Sequence, residues 1–217
     1  MIHKLEADSI QLEFKGRSIL TDVYIKSETK KITGLLGRNG QGKTCLMNII
    51  FGSLKCQKSI RFDNKCSNEA FRIPGLIQYL PQFNFIPKSL SIKRIFKDFQ
   101  LDFSTFEKRF PEFSLRYKST IASLSGGEQR LLEIYVIVKS KSLFTLLDEP
   151  FTHLSPIQIE KIKELLLEEK ETKGLLITDH LYHHIIDICD NLYVLVNGRT
   201  YLSKSLEEIE ALGYARF

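Results

Sequence analysis

Gly37-Arg38-Asn39-Gly40-Gln41-Gly42-Lys43-Thr44 (GRNGQGKT) follows directly on the apolar run Ile32–Leu36, and the reading of this stretch decides the fold. The apolar run reads as a buried strand, and Lys43–Phe51 (KTCLMNIIF) reads as the helix that leaves the loop. A glycine loop between a strand and a helix turns several backbone N–H groups toward an anion, and the helix dipole favours negative charge at the same end. Glycines at 37, 40 and 42 let the backbone curl without Cβ clashes. Lys43 has the reach to touch β and γ phosphates, and the Thr44 hydroxyl suits Mg²⁺. The stretch therefore predicts a bound nucleotide phosphate, and by itself leaves GTPase, kinase and transport ATPase all open.

The rest of the composition narrows the setting. A chain of 217 residues with 43% hydrophobic content has a full core available, as one large domain or two small ones. No stretch approaches the roughly 18 consecutive apolar residues that cross a bilayer; Leu131–Val138 is short and interrupted by Glu133. The N-terminal MIHKLEADSIQLEF lacks the apolar region and cleavage site of a secretory signal, so a cytosolic location is expected. Cys45, Cys56, Cys66 and Cys189 show no zinc-type spacing and read as reduced thiols. The net charge of +5 is spread along the chain, with short clusters such as Lys26–Lys31, which describes a solvated surface and not a nucleic-acid footprint.

Residues 2–26 alternate loosely between apolar and polar, predicting antiparallel strands joined by a turn at Lys15-Gly16-Arg17. A strand and turn follow at Ser59–Lys65. The composition then turns polar and aromatic-rich between Gln78 and Ser123, with helical patterns in LSIKRIFKDF and STFEKRF. Beyond Ser125 the texture is α/β: a helix over Gly127–Lys139, a strand over Phe144–Leu147, a helix over Ile157–Lys170 and a strand over Leu175–Thr178. Asn197-Gly198 between two β-rich runs predicts a hairpin with a type I′ turn over Leu192–Ser203.

Three downstream motifs separate the classes: LSGGEQRLLEI from Leu124, FTLLDEP from Phe144 and LLITDH from Leu175. On these residues the chain resembles the nucleotide-binding domains of ABC transporters over nearly its whole length. The resemblance implies a P-loop NTPase fold of ABC type: α/β, a mixed sheet with an N-terminal antiparallel β subdomain, and a helical subdomain inserted between the Q-loop and the signature motif. The expected division is a single domain over 1–217, with 1–82 and 124–217 as core and 83–123 as the helical subdomain.

The site residues carry over one by one. Gly37, Arg38, Asn39, Gly40, Gln41, Gly42, Lys43, Thr44 and Cys45 form the expected ATP-binding loop, and Phe14 stands where the family stacks an aromatic ring on adenine; burial in the core is the other reading of a phenylalanine. Ser125, Gly126, Gly127 and Glu128 match the signature, a second Ser/Gly anion site at a helix N-terminus, which in the family faces the ATP of a partner subunit. Two carboxylates end the apolar strand, where ligands sit in open α/β sheets. The resemblance makes Asp148 a Mg²⁺ ligand with Thr44 and Gln82, and Glu149 the general base that polarises the attacking water. Gln82, in QYLPQ, matches the Q-loop glutamine, and His180 the histidine that contacts the γ-phosphate. His180 and His184 also stand at i and i+4, but no third metal ligand accompanies them. The pattern departs at Ser155, where the family's D-loop usually has Asp, so weaker coupling between the paired sites is expected there.

The implied protein is a cytosolic ATPase subunit, peripheral on the membrane's cytosolic face, that uses MgATP as a homodimer or beside a similar subunit and works with a separate transmembrane chain. No nucleic-acid partner is expected. Phe83–Phe99 reads either as the groove for that chain's coupling helix or as subdomain core. From DEPF onward the sequence looks most like the ATPases of lipopolysaccharide export and of branched-chain amino-acid import. A soluble ABC-type ATPase acting on nucleic acid or ribosomes, and a weakly hydrolysing regulatory subunit, are the alternatives.

Overall fold

The computed structural model describes residues 1–203 and 205–214, and Lys204 and the last three residues of the expected 124–217 core lie outside them. The elements run β1 (Lys4–Phe14), β2 (Arg17–Glu28), β3 (Ile32–Leu36), α1 (Lys43–Phe51), β4 (Gln57–Phe62), β5 (Lys65–Cys66) and β6 (Ile77–Leu80). They continue as α2 (Ile92–Asp98), α3 (Phe103–Arg109), α4 (Gly126–Lys139), β7 (Phe144–Asp148), α5 (Pro156–Glu169), β8 (Gly174–Thr178), α6 (Tyr182–Ile186), β9 (Asn191–Val196), β10 (Arg199–Ser203) and α7 (Leu206–Ala211).

Two sheets form. One is antiparallel in the order β2-β1-β4-β5; the other runs β10-β9-β3-β8-β7-β6, parallel except for its edge strand β10. Every residue of β3, β7 and β8 is buried, because both faces of the parallel sheet are covered, one by helices and the other by α1 and the antiparallel sheet, which is why these strands read as unbroken apolar runs. β1 and β2 instead alternate, with Leu5, Ala7, Ile10 and Leu12 turned inward. Their pairing slips between Ala7 and Ile10, and Ser9 there takes a positive φ of 53°, so the bulge keeps Ile10 and Leu12 facing the core. Three two-residue hairpin turns have the two positive φ values of type I′: Lys15-Gly16 at 49° and 78°, Asp63-Asn64 at 49° and 66°, Asn197-Gly198 at 49° and 77°.

α1 lies between the two sheets, and Leu46, Met47, Ile49 and Ile50 join Leu5, Ile10, Leu35 and Phe144 in one core cluster. A second cluster fills the other face of the parallel sheet and extends into the segment between β6 and α4. That segment is helical: α2, α3 and short 3₁₀ turns hold rings of Phe96, Phe106, Phe110 and Phe113 against Tyr135 of α4, with Phe106 at 4.8 Å from both Phe113 and Tyr135. α4 and α5 are fixed at their starts by capping boxes, Ser125 with Glu128 and Ser155 with Gln158. These caps place the helix starts at Gly126 and Pro156, one residue earlier than expected. α7 had no counterpart in the sequence reading. Among the described residues no helix is long and apolar enough to cross a membrane, and all four cysteines are free thiols.

Candidate functional site

β3 ends, the loop of residues 37–42 curls, and α1 begins at Lys43, its N-cap Gly42 at φ 100° in the left-handed region that a side chain rarely enters. A Cβ there would also come within 2.9 Å of Ile19. Lys43 is buried, and its ammonium donates to Gly37 O at 2.6 Å and Arg38 O at 3.3 Å, so the loop wraps its own cation. Burial lowers the amine's pKa, against the pull of the Glu149 and Asp148 carboxylates nearby.

A cleft of about 570 Å³ opens over this loop, lined by Phe14, Ile19, Asn39, Gly40, Gly42, Lys43, Thr44, Cys45, Gln82, Glu149 and His180. Phe14, at the end of β1, is 47% exposed and belongs to this wall, not to the core that was its other reading. Burial pushes the Cys45 thiol up, which keeps it protonated and unreactive beside the cleft.

Two loop residues read as ATP-binding turn their side chains elsewhere. Arg38 Nη2 donates to Gly213 O at 2.7 Å, and Gln41 Oε1 accepts from Asn197 N at 3.0 Å, so both brace the outside of the loop against the hairpin turn and the chain's C-terminal segment. Neither side chain lines the cleft, which the loop borders through Asn39, Gly40 and Gly42. Gly37 likewise sits on the far side, where a Cβ would meet Leu195 O at 2.9 Å.

The end of β7 delivers Asp148 and Glu149. Asp148 is fully buried; its Oδ2 accepts from the Tyr79 hydroxyl at 3.1 Å, which in turn accepts from Asn48 Nδ2 at 3.3 Å. Its Oδ1 is buried without a hydrogen bond of good geometry, although the Thr44 hydroxyl lies close enough to favour the ionised carboxylate. Burial outweighs these donors and raises the Asp148 pKa. An orphaned carboxylate oxygen beside a threonine hydroxyl fits a hard, oxygen-seeking cation. Among the described residues no three His, Cys, Asp or Glu side chains are arranged to hold a metal ion by themselves; Mg²⁺ at Asp148 would draw most of its shell from phosphate and water, as that ion commonly does.

Glu149 Oε2 accepts from Gln82 Nε2 at 3.0 Å and lies 3.6 Å from His180 Nδ1. The Glu149 backbone is left-handed, φ 49°, a strained geometry for a residue with a side chain. Three groups absent from the sequence reading support this centre. Asp179, fully buried, accepts from Phe151 N and Leu181 N, both at 2.9 Å, and ties the segment after Glu149 to the one that carries His180. Tyr79 and Arg130 are the others. Asp179 was detectable as an acid flanking His180 at a strand end; a tyrosine in β6 and an arginine in a helix carry no such signal.

The four signature residues do not line the cleft. Ser125 Oγ accepts from Glu128 N at 3.3 Å, which leaves its proton free to donate outward. The Glu128 carboxylate closes the cap on Ser125 N at 2.8 Å and pairs with Arg116 at 3.1 Å, so it serves the turn and not a ligand. Gly126 is open to solvent space, whereas a Cβ on Gly127 would meet His153 O at 2.7 Å: the second glycine lets the helix lie against the following loop. Ser155, the departure noted in that loop, caps α5 as an aspartate would, so the loop's anchorage is retained. His184 packs edge-on against Phe151, with the ring centroids 5.7 Å apart.

Comparison with known proteins points to one family. The family model described as "ABC transporter" matches residues 20–152. The lipopolysaccharide export system ATP-binding protein LptB of Haemophilus influenzae is 29% identical over 94% of this chain and 92% of its own length. LptB of Escherichia coli K12 is 31% identical over 89% of the chain and 87% of its own. The high-affinity branched-chain amino acid transport ATP-binding protein BraG of Pseudomonas aeruginosa is 27% identical, covering 90% of each. Among solved structures, an ATP-binding subunit of an ABC transporter superposes with a TM-score of 0.80 at 22% identity, over 95% of this chain and 92% of that one. The family match over residues 20–152, together with relatives aligned over about nine-tenths of the chain, makes it an ATPase of the ABC transporter family.

Proposed function

We propose that this ATPase subunit hydrolyses MgATP between two copies, or beside a similar subunit, and drives transport through a separate membrane-spanning chain. The observation that carries the reading is one carboxylate oxygen, Glu149 Oε2, held by Gln82 and 3.6 Å from His180 in the same cleft as Lys43. The loop's N–H groups and Lys43 receive the phosphates, the ammonium exchanging carbonyl partners for phosphate oxygens, while Phe14 offers a face to the base. Glu149 then orients and deprotonates water for in-line attack on the γ-phosphate, and His180 steadies that phosphate. Thr44, Asp148 and Gln82 would hold Mg²⁺, which neutralises charge developing on the phosphates. The signature serine has its proton available and lies outside the chain's own cleft, which supports its use on a second subunit's nucleotide. The exposed rings of Phe83, 78%, and Phe85, 37%, beside Gln82 support a docking place for the membrane chain there. The chain would thus work on the cytosolic face of the membrane.

The test is tagged Glu149→Gln protein, expressed in its native host and isolated from gently solubilised membranes with ATP present. Co-purification of one multi-spanning membrane protein is expected. Recovery of ribosomes or nucleic acid in its place would overturn the transport reading.

A further inference from the structure

Arg130, on α4, is 1% exposed, and its guanidinium gathers three main-chain carbonyls: Pro81 O at 2.8 Å from Nη1, and Asp148 O at 2.7 Å and Glu149 O at 2.9 Å from Nη2. Stability alone does not account for it. Its nearest counter-charge, Glu133 Oε2, stands 3.8 Å away, and its Nε has no hydrogen-bond partner among the described residues. A buried ion pair of that quality is no more stabilising than well-packed apolar side chains of the same volume.

What the guanidinium holds is specific. Glu149 occupies the left-handed region, which nothing in its own side chain favours. Its N–H donates to Thr178 O at 2.7 Å and its C=O accepts from Arg130, so the residue is pinned from both sides. The same fork grips the carbonyl of Pro81, whose next residue, Gln82, hydrogen-bonds the Glu149 carboxylate. One turn further along α4, Glu133 accepts from Phe85 N at 3.0 Å and Ile86 N at 3.2 Å and fastens the far side of the Gln82 loop.

We infer that Arg130 is the positioning residue of the hydrolytic centre: it sets the Glu149 and Gln82 backbones against each other and so aims the carboxylate. This rests on the proposed role of Glu149 as general base. α4 also starts at the signature serine, so a tilt of that helix reaches the carboxylate through one rigid side chain.

Two substitutions test it in the full chain. Arg130→Lys keeps the charge and loses the planar fork; Arg130→Gln removes the buried charge and keeps an amide donor. Both are expected to unfold cooperatively and to bind mant-ATP within about threefold of the unsubstituted chain, while single-turnover ATP hydrolysis falls about 100-fold, the scale of a misaimed catalytic group. In a Glu149→Gln background the same substitutions are expected to change the residual rate less than about threefold, because the group they aim is gone. Hydrolysis near the original rate in either folded variant, equal losses in both backgrounds, or loss of mant-ATP binding in step with the rate would overturn the inference. Failure of both variants to fold would make Arg130 structural and overturn it too. Original-rate turnover by Glu149→Gln alone would instead strike at the assignment of the base.

Discussion

Gly126 and Gly127 are adjacent in the first turn of α4, and replacing either by alanine adds the same methyl group. Nothing lies within 4 Å of a Cβ at Gly126, whereas at Gly127 the new atom meets His153 O at 2.7 Å, against the 3.4 Å where ordinary contact begins. Alanine is favoured over glycine by about 1 kcal/mol in a helix interior and by less in the first turn, so Gly126→Ala is expected to stabilise by roughly 0.5 kcal/mol. At Gly127 the same gain is opposed. The obstacle is a backbone carbonyl in a loop whose own residue His153 sits at φ 67° and whose end is capped onto α5, so it yields poorly. Forcing it aside costs about 1–3 kcal/mol, the clash prevails, and Gly127→Ala is expected to be about 1 kcal/mol less stable than the unsubstituted chain. Urea unfolding of the nucleotide-free protein reads this directly: with a slope of roughly 2 kcal/mol per molar, the two midpoints should separate by about 0.8 M in opposite directions. A Gly127→Ala midpoint at or above that of Gly126→Ala would mean that the signature helix and the His153 loop are not packed as described.

Tyr79→Phe removes the hydroxyl that donates to Asp148 Oδ2 and should lower stability by about 2 kcal/mol in the same urea experiment, since a buried carboxylate loses a donor. Lys43→Ala is expected to abolish mant-ATP binding in fluorescence titration while the chain remains folded. Ser155→Ala should cost about 1 kcal/mol through loss of the α5 cap, and Ser155→Asp should keep the urea midpoint nearly unchanged. The ammonium groups of Lys26 and Lys31 hold the Glu28 carboxyl down to about 2, below its ordinary 4.5. A lowered folded value stabilises the protein fully above 4.5, and the benefit is lost as pH falls toward 2. Glu28→Gln should therefore unfold at lower urea than the unsubstituted chain at pH 7, and the two midpoints should converge near pH 2.

The sequence made the parallel core legible because β3, β7 and β8 are buried on both faces and so appear as unbroken apolar runs, each followed by residues that line the cleft. The hairpin turns were legible for the same local reason, since Asn197-Gly198 suits two positive φ values. Groups whose role depends on distant neighbours were hidden. Arg130 and Glu133 look like the polar face of an amphipathic helix, yet α4 is buried from Gln129 through Val138, and only the packed Gln82 loop turns those charges into hydrogen-bonding posts. Tyr79 gains its meaning from Asn48 and Asp148, which lie far from it along the chain. Arg38 and Gln41 were assigned by membership in the glycine loop, but which side of a tight curl a side chain takes depends on Gly213 and Asn197, residues more than a hundred and fifty positions away.

The left-handed Glu149 has an evolutionary consequence. A side chain at that φ costs about 1 kcal/mol or more that glycine would not incur, so the residue proposed to run hydrolysis is also one the fold would be better off without. Glutamate and glycine codons differ by a single base. A lineage of this chain released from the need to hydrolyse ATP would have a one-step route to a more stable protein that still cradles the nucleotide, and the switch from engine to passive nucleotide-binding subunit would run downhill in stability.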